Sequence, residues 1–424
     1  MELKINYVTP IPAKRISENG EIDLRIASKN CTKINVSAFK NDTLICDFGY
    51  FSVDKQLKVN SIKIKTKGIF GKIDLVIYFL NNDNKVEETV KLPYEIIKSI
   101  VHGTQLLDGC WISLYHWSDD EARYFNHALK NLDSEGFKQQ IYSMHNIGIT
   151  GVIIQNVFDS PYYVGTNDKT IDTYDGKAFY NSELYSGRVD IRCEDPIEAI
   201  LTAADECDMA VFPGVGLFAW FDFSPESLEW HKKVTLELHN KYGHHKSFYG
   251  WYISEEMFGS LYFEYPPVAE ERWTEIRDFF KEYKSFIDEL TPTKPVALAP
   301  NNIHMDQYRE PWYEIMKNID ILIPFAFARS ENNISQIIEM TKKADTHFWV
   351  DMEIFKFPFD EGLRPKEIDD LVKEIRVYDQ LEQCYGYQFT GLMNEPGKRM
   401  NLGLEETEVV YEEYQKYYKD IVKE

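Results

Sequence analysis

His347-Phe348-Trp349-Val350-Asp351-Met352-Glu353-Ile354-Phe355 reads as a strand with two unlike faces. Side chains alternate along a strand, so Phe348, Val350, Met352 and Ile354 share one apolar face, suited to a covering layer of helices. Trp349, Asp351 and Glu353 share the other. Carboxylates there have no ordinary packing role, because an unpaired buried charge costs several kcal/mol. A strand of this kind fits a closed parallel sheet, with helices outside and a site at the mouth formed by the C-terminal strand ends. Glu353 stands nearest that mouth. An internal salt bridge to an arginine is the competing reading of the acidic pair.

Seven more strand-length apolar runs occur: Gly109–Trp117, Gly151–Phe158, Ala210–Phe218, Phe248–Glu256, Val296–Asn301, Ile321–Phe327 and Cys384–Thr390. Amphipathic helical stretches alternate with them, for example Asp195–Asp208, Pro225–Lys241, Glu270–Leu290, Ile334–Ala344 and Pro365–Gln383, and Glu405–Val422 closes the chain. This alternation predicts a (β/α)8 barrel of TIM type, class α/β, over residues 103–424. An open doubly wound sheet is the runner-up, but no G-x-G-x-x-G follows the first strand. The first 102 residues follow a different grammar. Period-two stretches such as Glu21–Ile26, Lys58–Ile64 and Lys72–Tyr78, separated by turns such as Asn81-Asn82-Asp83-Asn84, predict an accessory β-sandwich of immunoglobulin type.

Bulk properties bound the partners. The net charge of −22 over 424 residues repels phosphate backbones and anionic lipid, so neither nucleic acid nor membrane is an expected partner. A neutral or cationic substrate suits it better. Cysteines 31, 46, 110, 193, 207 and 384 form no C-x-x-C pair, which fits a reducing compartment; a Cys31–Cys46 bridge is the one pairing left open. The N-terminal MELKINYVTP has no apolar run of signal-peptide length, so the expectation is cytoplasmic residence. No cofactor and no metal are expected.

The fourth run, Phe248-Tyr249-Gly250-Trp251-Tyr252-Ile253-Ser254-Glu255-Glu256, repeats the pattern of the seventh. Trp251 and Ile253 make the helix-facing set, leaving Gly250, Tyr252, Ser254 and Glu256 inward. Glu256 is favoured over Glu255, although one bulge would exchange them. Two carboxyls facing each other across a cleft are the minimal machinery of glycoside hydrolysis, one held protonated and one ionised. His244-His245 precede the fourth strand, at the wrong rim, and His116 and His304 each stand alone. Flat aromatic rings hold sugar faces, and amides read hydroxyls. Trp111, Trp117, Trp220, Tyr252, Trp349, Asp351, Gln155, Asn301 and Gln388 are therefore the candidate substrate contacts. The long connection Asp159–Glu194, with Tyr162, Tyr163, Tyr174, Tyr180 and Tyr185, is expected to be a substrate lid.

Glutamates ending strands four and seven resemble the clan of retaining TIM-barrel glycosidases. The segments Asp195-Pro196-Ile197-Glu198-Ala199-Ile200-Leu201, Ala203-Ala204-Asp205, Tyr242-Gly243-His244-His245, Ser247 to Glu256 and Trp349-Val350-Asp351-Met352-Glu353 also resemble a bacterial family of the domain-of-unknown-function type, regarded as glycosyl hydrolases with an N-terminal β-domain. That resemblance implies Glu256 as acid/base and Glu353 as nucleophile of a retaining hydrolase of oligo- or polysaccharide. There are departures. Ser254-Glu255 stand where the clan has Asn before its glutamate, the Asn394-Glu395-Pro396 tripeptide follows the eighth strand as a rim element, and Pro324-Phe325-Ala326-Phe327-Ala328 is less polar than the family suggests. A non-catalytic carbohydrate-binding barrel and a metal-dependent hydrolase using Asp351, Glu353 and a nearby histidine are the alternative readings.

Overall fold

The computed structural model describes residues 6–159, 164–165, 168–262, 270–329, 333–356, 362–398 and 402–423. It is a mixed α/β structure with two kinds of sheet. Strands β1 (Asn6–Ile11), β2 (Arg15–Ser17), β3 (Glu21–Ser28), β4 (Lys33–Lys40), β5 (Thr43–Ser52), β6 (Asn60–Lys65), β7 (Gly71–Leu80) and β8 (Val86–Ile97) come first. They form a three-stranded sheet, β1-β3-β6, and a five-stranded sheet, β2-β8-β7-β4-β5, antiparallel except for the β2–β8 pair. Alternate residues Ile22, Leu24 and Ile26 of β3 meet Ile34, Val36 and Ala38 of β4 in one buried cluster. Cys31 and Cys46 carry free thiols, like the other four cysteines.

After β9 (Gly109–Ile112) come helices α1 (Asn126–Lys130) and α2 (Ser134–Asn146), then β10 (Gly151–Ile154). A two-stranded excursion, β11 (Phe158–Asp159) with β12 (Lys177–Ala178), leads to α3 (Pro196–Cys207), β13 (Ala210–Pro213), α4 (Pro225–Tyr242), β14 (Trp251–Ile253) and α5 (Glu270–Leu290). There follow β15 (Val296–Leu298), α6 (Arg309–Met316), β16 (Ile321–Leu322), α7 (Ile334–Ala344), β17 (His347–Phe348) and β18 (Val350–Glu353). The pair β19 (Phe355–Lys356) with β20 (Arg364–Pro365), then α8 (Ile368–Val377), β21 (Cys384–Tyr387) and α9 (Glu406–Val422), complete the chain. Local chemistry sets the helix starts: Asp195 and Ser224 accept the backbone N–H of Glu198 (3.0 Å) and Ser227 (3.3 Å), each followed by proline at the first helical position. Helix α8 begins later than its periodicity suggests, because Pro365 is taken into the β19–β20 pairing.

The parallel pairings run in a ring. One sheet orders β13-β10-β9-β21-β18 and another β14-β15-β16-β17. Parallel bridges Val211–Phe248 and Gly214–Tyr252 join β13 to β14, while β17 and β18 are separated by Trp349 alone. Phe348, Val350, Met352 and Ile354 lie in the large cluster shared with the helices, and Trp349 lies in a second cluster with Trp111, Phe212, Tyr252 and Tyr385. Gly109 and Gly151 make room for that inner cluster, since a Cβ on either would overlap the Tyr385 ring.

The N-terminal sheets are fastened to this ring near the N-terminal ends of its strands. Ile11 and Ala13 join the inner cluster from below, and Tyr249 donates its hydroxyl hydrogen to the Pro10 carbonyl. Buried Arg15 binds Glu95 and donates to the Gly148 carbonyl, and buried Arg25 pairs with Asp320. His347 sits between Asp23 (3.3 Å) and Glu382 (2.8 Å); burial alone would depress it, but the two carboxylates push it up to about 10, so it is a cation at neutral pH. No helix among the described residues is long and apolar enough to cross a membrane.

Candidate active site

Strands β14 and β18 bring three acidic groups toward one place at their C-terminal ends. Asp351 and Glu353 lie on the inner parity of β18, and both are buried, at 7% and 8% exposure. Burial pushes the Asp351 carboxyl well above the usual carboxylate range, and the charges of Glu353 and Glu256 push it further. Its Oδ1 has no hydrogen-bond partner. A buried carboxyl in that position avoids the cost of charge by keeping its proton. Glu353 is also raised by burial, but Arg329 opposes this through a direct ion pair and hydrogen bond to Oε1.

Glu256 follows β14. Its side chain is open to solvent, yet it is hemmed in by enough protein to raise its pKa, with Glu353 adding to the rise and Arg329 reducing it. An accessible group in a concave wall meets both conditions: solvent touches one side while protein fills the other. Glu255 points elsewhere. It is 2% exposed, accepts the Phe221 N–H at 2.5 Å, and is pushed up by burial to about 8. The chain beyond β14 turns between the two glutamates, so Glu256 meets solvent while Glu255 enters the packing behind Phe221.

Around these acids, Tyr252 and Tyr387 interact electrostatically with Asp351 and Glu256, and Glu121 interacts with Glu256 and Arg329. Tyr387 donates to Gln155 Oε1 (3.0 Å), and the Ser113 hydroxyl, with its single proton, lies between Gln155 Oε1 (2.8 Å) and Gln388 Oε1. Trp220 donates its Nε1–H to the Glu256 carbonyl at 3.1 Å.

The other candidates divide. Trp111 packs edge-on against Tyr252, with centroids 6.0 Å apart, and is fully buried under the acidic group. Trp349 lies deeper, stacked on Tyr385 and donating to Glu382 at 3.2 Å. Neither offers a face to a ligand, because both point into the closed interior. Trp117 is 65% exposed: β9 ends at Ile112 and the chain bends, so strand parity does not extend to it. Asn301 spends its Oδ1 on the Ile303 N–H (2.9 Å), which fixes a turn. Gln388 is fully buried and its Nε2 has no hydrogen-bond partner. Within the long connection, Tyr174 and Tyr180 are buried and hydrogen-bonded to the Leu217 carbonyl and Glu237, so this part packs against α4 as core rather than covering the cleft. Tyr162 and Tyr163 lie outside the described residues.

Sequence reading missed Arg329, Glu121, Tyr387 and Ser113. Arg329 stands one residue beyond the apolar stretch 324–328, in the short turn Phe327–Arg329. The competing reading of an arginine partner for the β18 acids was the available signal. Tyr387 could have been found from parity with Tyr385, two residues earlier on β21.

No curated protein matches the chain. Among solved structures it is similar to a Bacteroides thetaiotaomicron protein described as a "putative alpha-L-fucosidase", at 18% identity and TM-score 0.54, over 76% of this chain and 96% of that one. Looser likenesses are to the beta-glucuronidase of Parabacteroides merdae (12% identity, TM-score 0.41, 98% of this chain and 52% of that one) and the beta-D-glucuronidase of Dictyoglomus thermophilum (13%, 0.42, 98% and 68%). The chain thus spans about half the length of the Parabacteroides protein. The first likeness is one of fold, and the other two are too loose to carry an argument. The family model described as a domain of unknown function, DUF4434, matches residues 107–400, and the chain belongs to that family.

Proposed function

We propose that the chain is a glycoside hydrolase on a (β/α)8 barrel of TIM type, residues 103–424, with an immunoglobulin-like β-sandwich, residues 1–102, fastened beneath it. Its substrate is an oligo- or polysaccharide. The observation that carries the reading is the gathering of Glu256, Asp351 and Glu353 about one arginine at the C-terminal strand ends, where barrel enzymes hold their chemistry. The fold shared with the Bacteroides protein described as a fucosidase is in keeping with this.

The two glutamates have environments that suit different roles. Glu256 has a raised pKa and, among the described residues, no ion pair at salt-bridge distance, and it faces solvent. It holds a proton to give to the departing glycosidic oxygen. Glu353 is paired with Arg329, which favours the ionised form needed to attack the anomeric carbon. In the first step the Glu353 oxygen bonds to that carbon as the glycosidic C–O bond breaks, and the Glu256 proton passes to the leaving oxygen. In the second, Glu256 takes a proton from water, the water oxygen bonds to the anomeric carbon, and Glu353 is released. Protonated Asp351 beneath them adds no second negative charge to repel the nucleophile. The Oε1 of Gln155 accepts from Tyr387, which leaves its amide N–H groups for a sugar hydroxyl, and Trp220 and Trp117 supply stacking faces at the rim.

Hydrolysis of a panel of aryl glycosides and oligosaccharides, with NMR following the first-formed anomer, tests the reading. Release of sugar with retained configuration is expected, as it is for carboxyls about 5–5.5 Å apart. Saturable sugar binding without any bond cleavage across the panel would favour a carbohydrate-binding barrel instead.

A further inference from the structure

A second cluster of reactive side chains lies in the outer helical layer, and the proposed hydrolysis makes no use of it. Glu198 and Asp205 stand seven residues apart on α3, two helical turns, and so share one face. His245, from the turn leading out of α4 into β14, lies between them. Its Nδ1 is 2.8 Å from Asp205 Oδ2, and its Nε2 is 3.2 Å from Glu198 Oε2. Asp205 is itself fixed, because its other oxygen accepts the Ser247 N–H at 2.7 Å.

This arrangement needs one more proton, or a metal ion, than a neutral imidazole between two carboxylates provides. A neutral imidazole carries one N–H and one lone pair. If the N–H is given to Asp205, the Nε2 lone pair faces a carboxylate oxygen, and that contact is repulsive unless a positive charge lies between. Either a second proton or a metal ion meets the need. The neighbouring residue decides between them. The His244 ring lies tilted beside that of His245, with centroids 4.2 Å apart, and the ligand atoms of Glu198, His244 and His245 all lie within 4.8 Å of one another. They are the one group of three such side chains so gathered among the described residues. A protonated His245 would gain nothing from a second imidazole brought to the same point.

We propose that Glu198, His244 and His245 bind a divalent transition-metal ion of the zinc type. Bonds of roughly 2.0–2.2 Å in a tetrahedron place ligand atoms roughly 3.3 Å apart, close to the 3.2 Å between His245 Nε2 and Glu198. Asp205 acts as the outer partner that holds the His245 tautomer, an arrangement general to metal-bound histidines. Glu198 and His244 are at the surface, so the fourth position is open to water. The ion would clip α3 to the turn that enters β14, the strand that Glu256 follows. This departs from the sequence-only expectation of a metal-free protein, and it is independent of the hydrolase reading.

The test is calorimetric titration of the chelator-treated full chain with zinc chloride, together with thermal melting in zinc and in chelator. The wild type is expected to bind one equivalent and to melt higher in zinc. His244→Ala and Glu198→Gln are expected to weaken zinc binding at least tenfold and to lose the zinc-dependent rise, with melting in chelator unchanged for His244→Ala. His245→Ala, which also breaks the contact to Asp205, serves only as a further loss-of-binding variant. Absence of saturable binding in the wild type, or undiminished binding in His244→Ala, would overturn the proposal and leave hydrogen bonding alone to hold this cluster.

Discussion

Replacing Glu255 with glutamine should flatten the pH dependence of stability while leaving turnover in place. Glu255 is buried and pushed up to about 8 in the folded chain, against an ordinary 4.5. The unfolded chain therefore releases this proton near pH 4.5, while the folded chain keeps it until about pH 8. Between those values the folded state binds more protons, so stability falls as pH rises through the window and levels off above it. At about 1.4 kcal/mol for each pH unit, the wild type loses about 4 kcal/mol through this group between about pH 5 and pH 9. Glutamine cannot ionise, and it still presents an oxygen to the Phe221 N–H. Urea unfolding followed by circular dichroism at the two pH values gives the comparison. The variant should gain on the wild type by about 4 kcal/mol at the higher pH, and its hydrolytic rate should stay near that of the wild type because Glu255 faces away from the cleft. A stability difference that is the same at both pH values would refute the reasoning, and so would a large loss of rate.

Two further outcomes follow from the acidic cluster. Arg329→Gln removes the cation that lowers both Glu353 and Glu256, so the acid limb of the kcat/KM profile should move to higher pH; an unmoved limb would remove Arg329 from the site's electrostatics. Asp351→Asn replaces a neutral acid with a neutral amide of nearly the same shape, so it should cost less than about tenfold in kcat, whereas loss of a group acting in the transition state costs roughly 10²–10⁴. A loss in that larger range would mean that Asp351 works as an ionised group.

Much of the architecture was readable because it rests on periodicity. The alternation in 347–355 separates Phe348, Val350, Met352 and Ile354 from Trp349 correctly, since a strand covered on one side by helices must keep that side apolar. Helices α5 and α7 begin and end where the pattern says they should. Parity failed where strands ended early. Trp117 lies beyond the last paired residue of β9, so its exposure follows from a bend that no alternation encodes. Tyr249 shares the parity of Trp251 and Ile253, yet it joins the inner cluster and donates to Pro10, because the chain before β14 has not yet taken up regular strand geometry. Depth was likewise hidden. Trp349 and Glu353 share a face, but four residues along a strand separate a packed floor from an open mouth. Arg329 reaches the acids by a short helical turn after β16, a contact set by tertiary structure and not by spacing.

The division of labour between Glu256 and Glu353 is tested most directly by leaving-group dependence. Once a substrate is found, Glu256→Gln and Glu353→Gln are compared on aryl glycosides whose leaving groups range from dinitrophenol to simple alcohols. The proton from Glu256 is needed only when the departing oxygen is basic, so Glu256→Gln should hydrolyse the dinitrophenyl glycoside nearly as fast as wild type and lose roughly 10²–10⁴ on the alcohol. Glu353→Gln should lose both substrates alike. Two variants with the same pattern, or either one active at the wild-type rate throughout, would contradict the account.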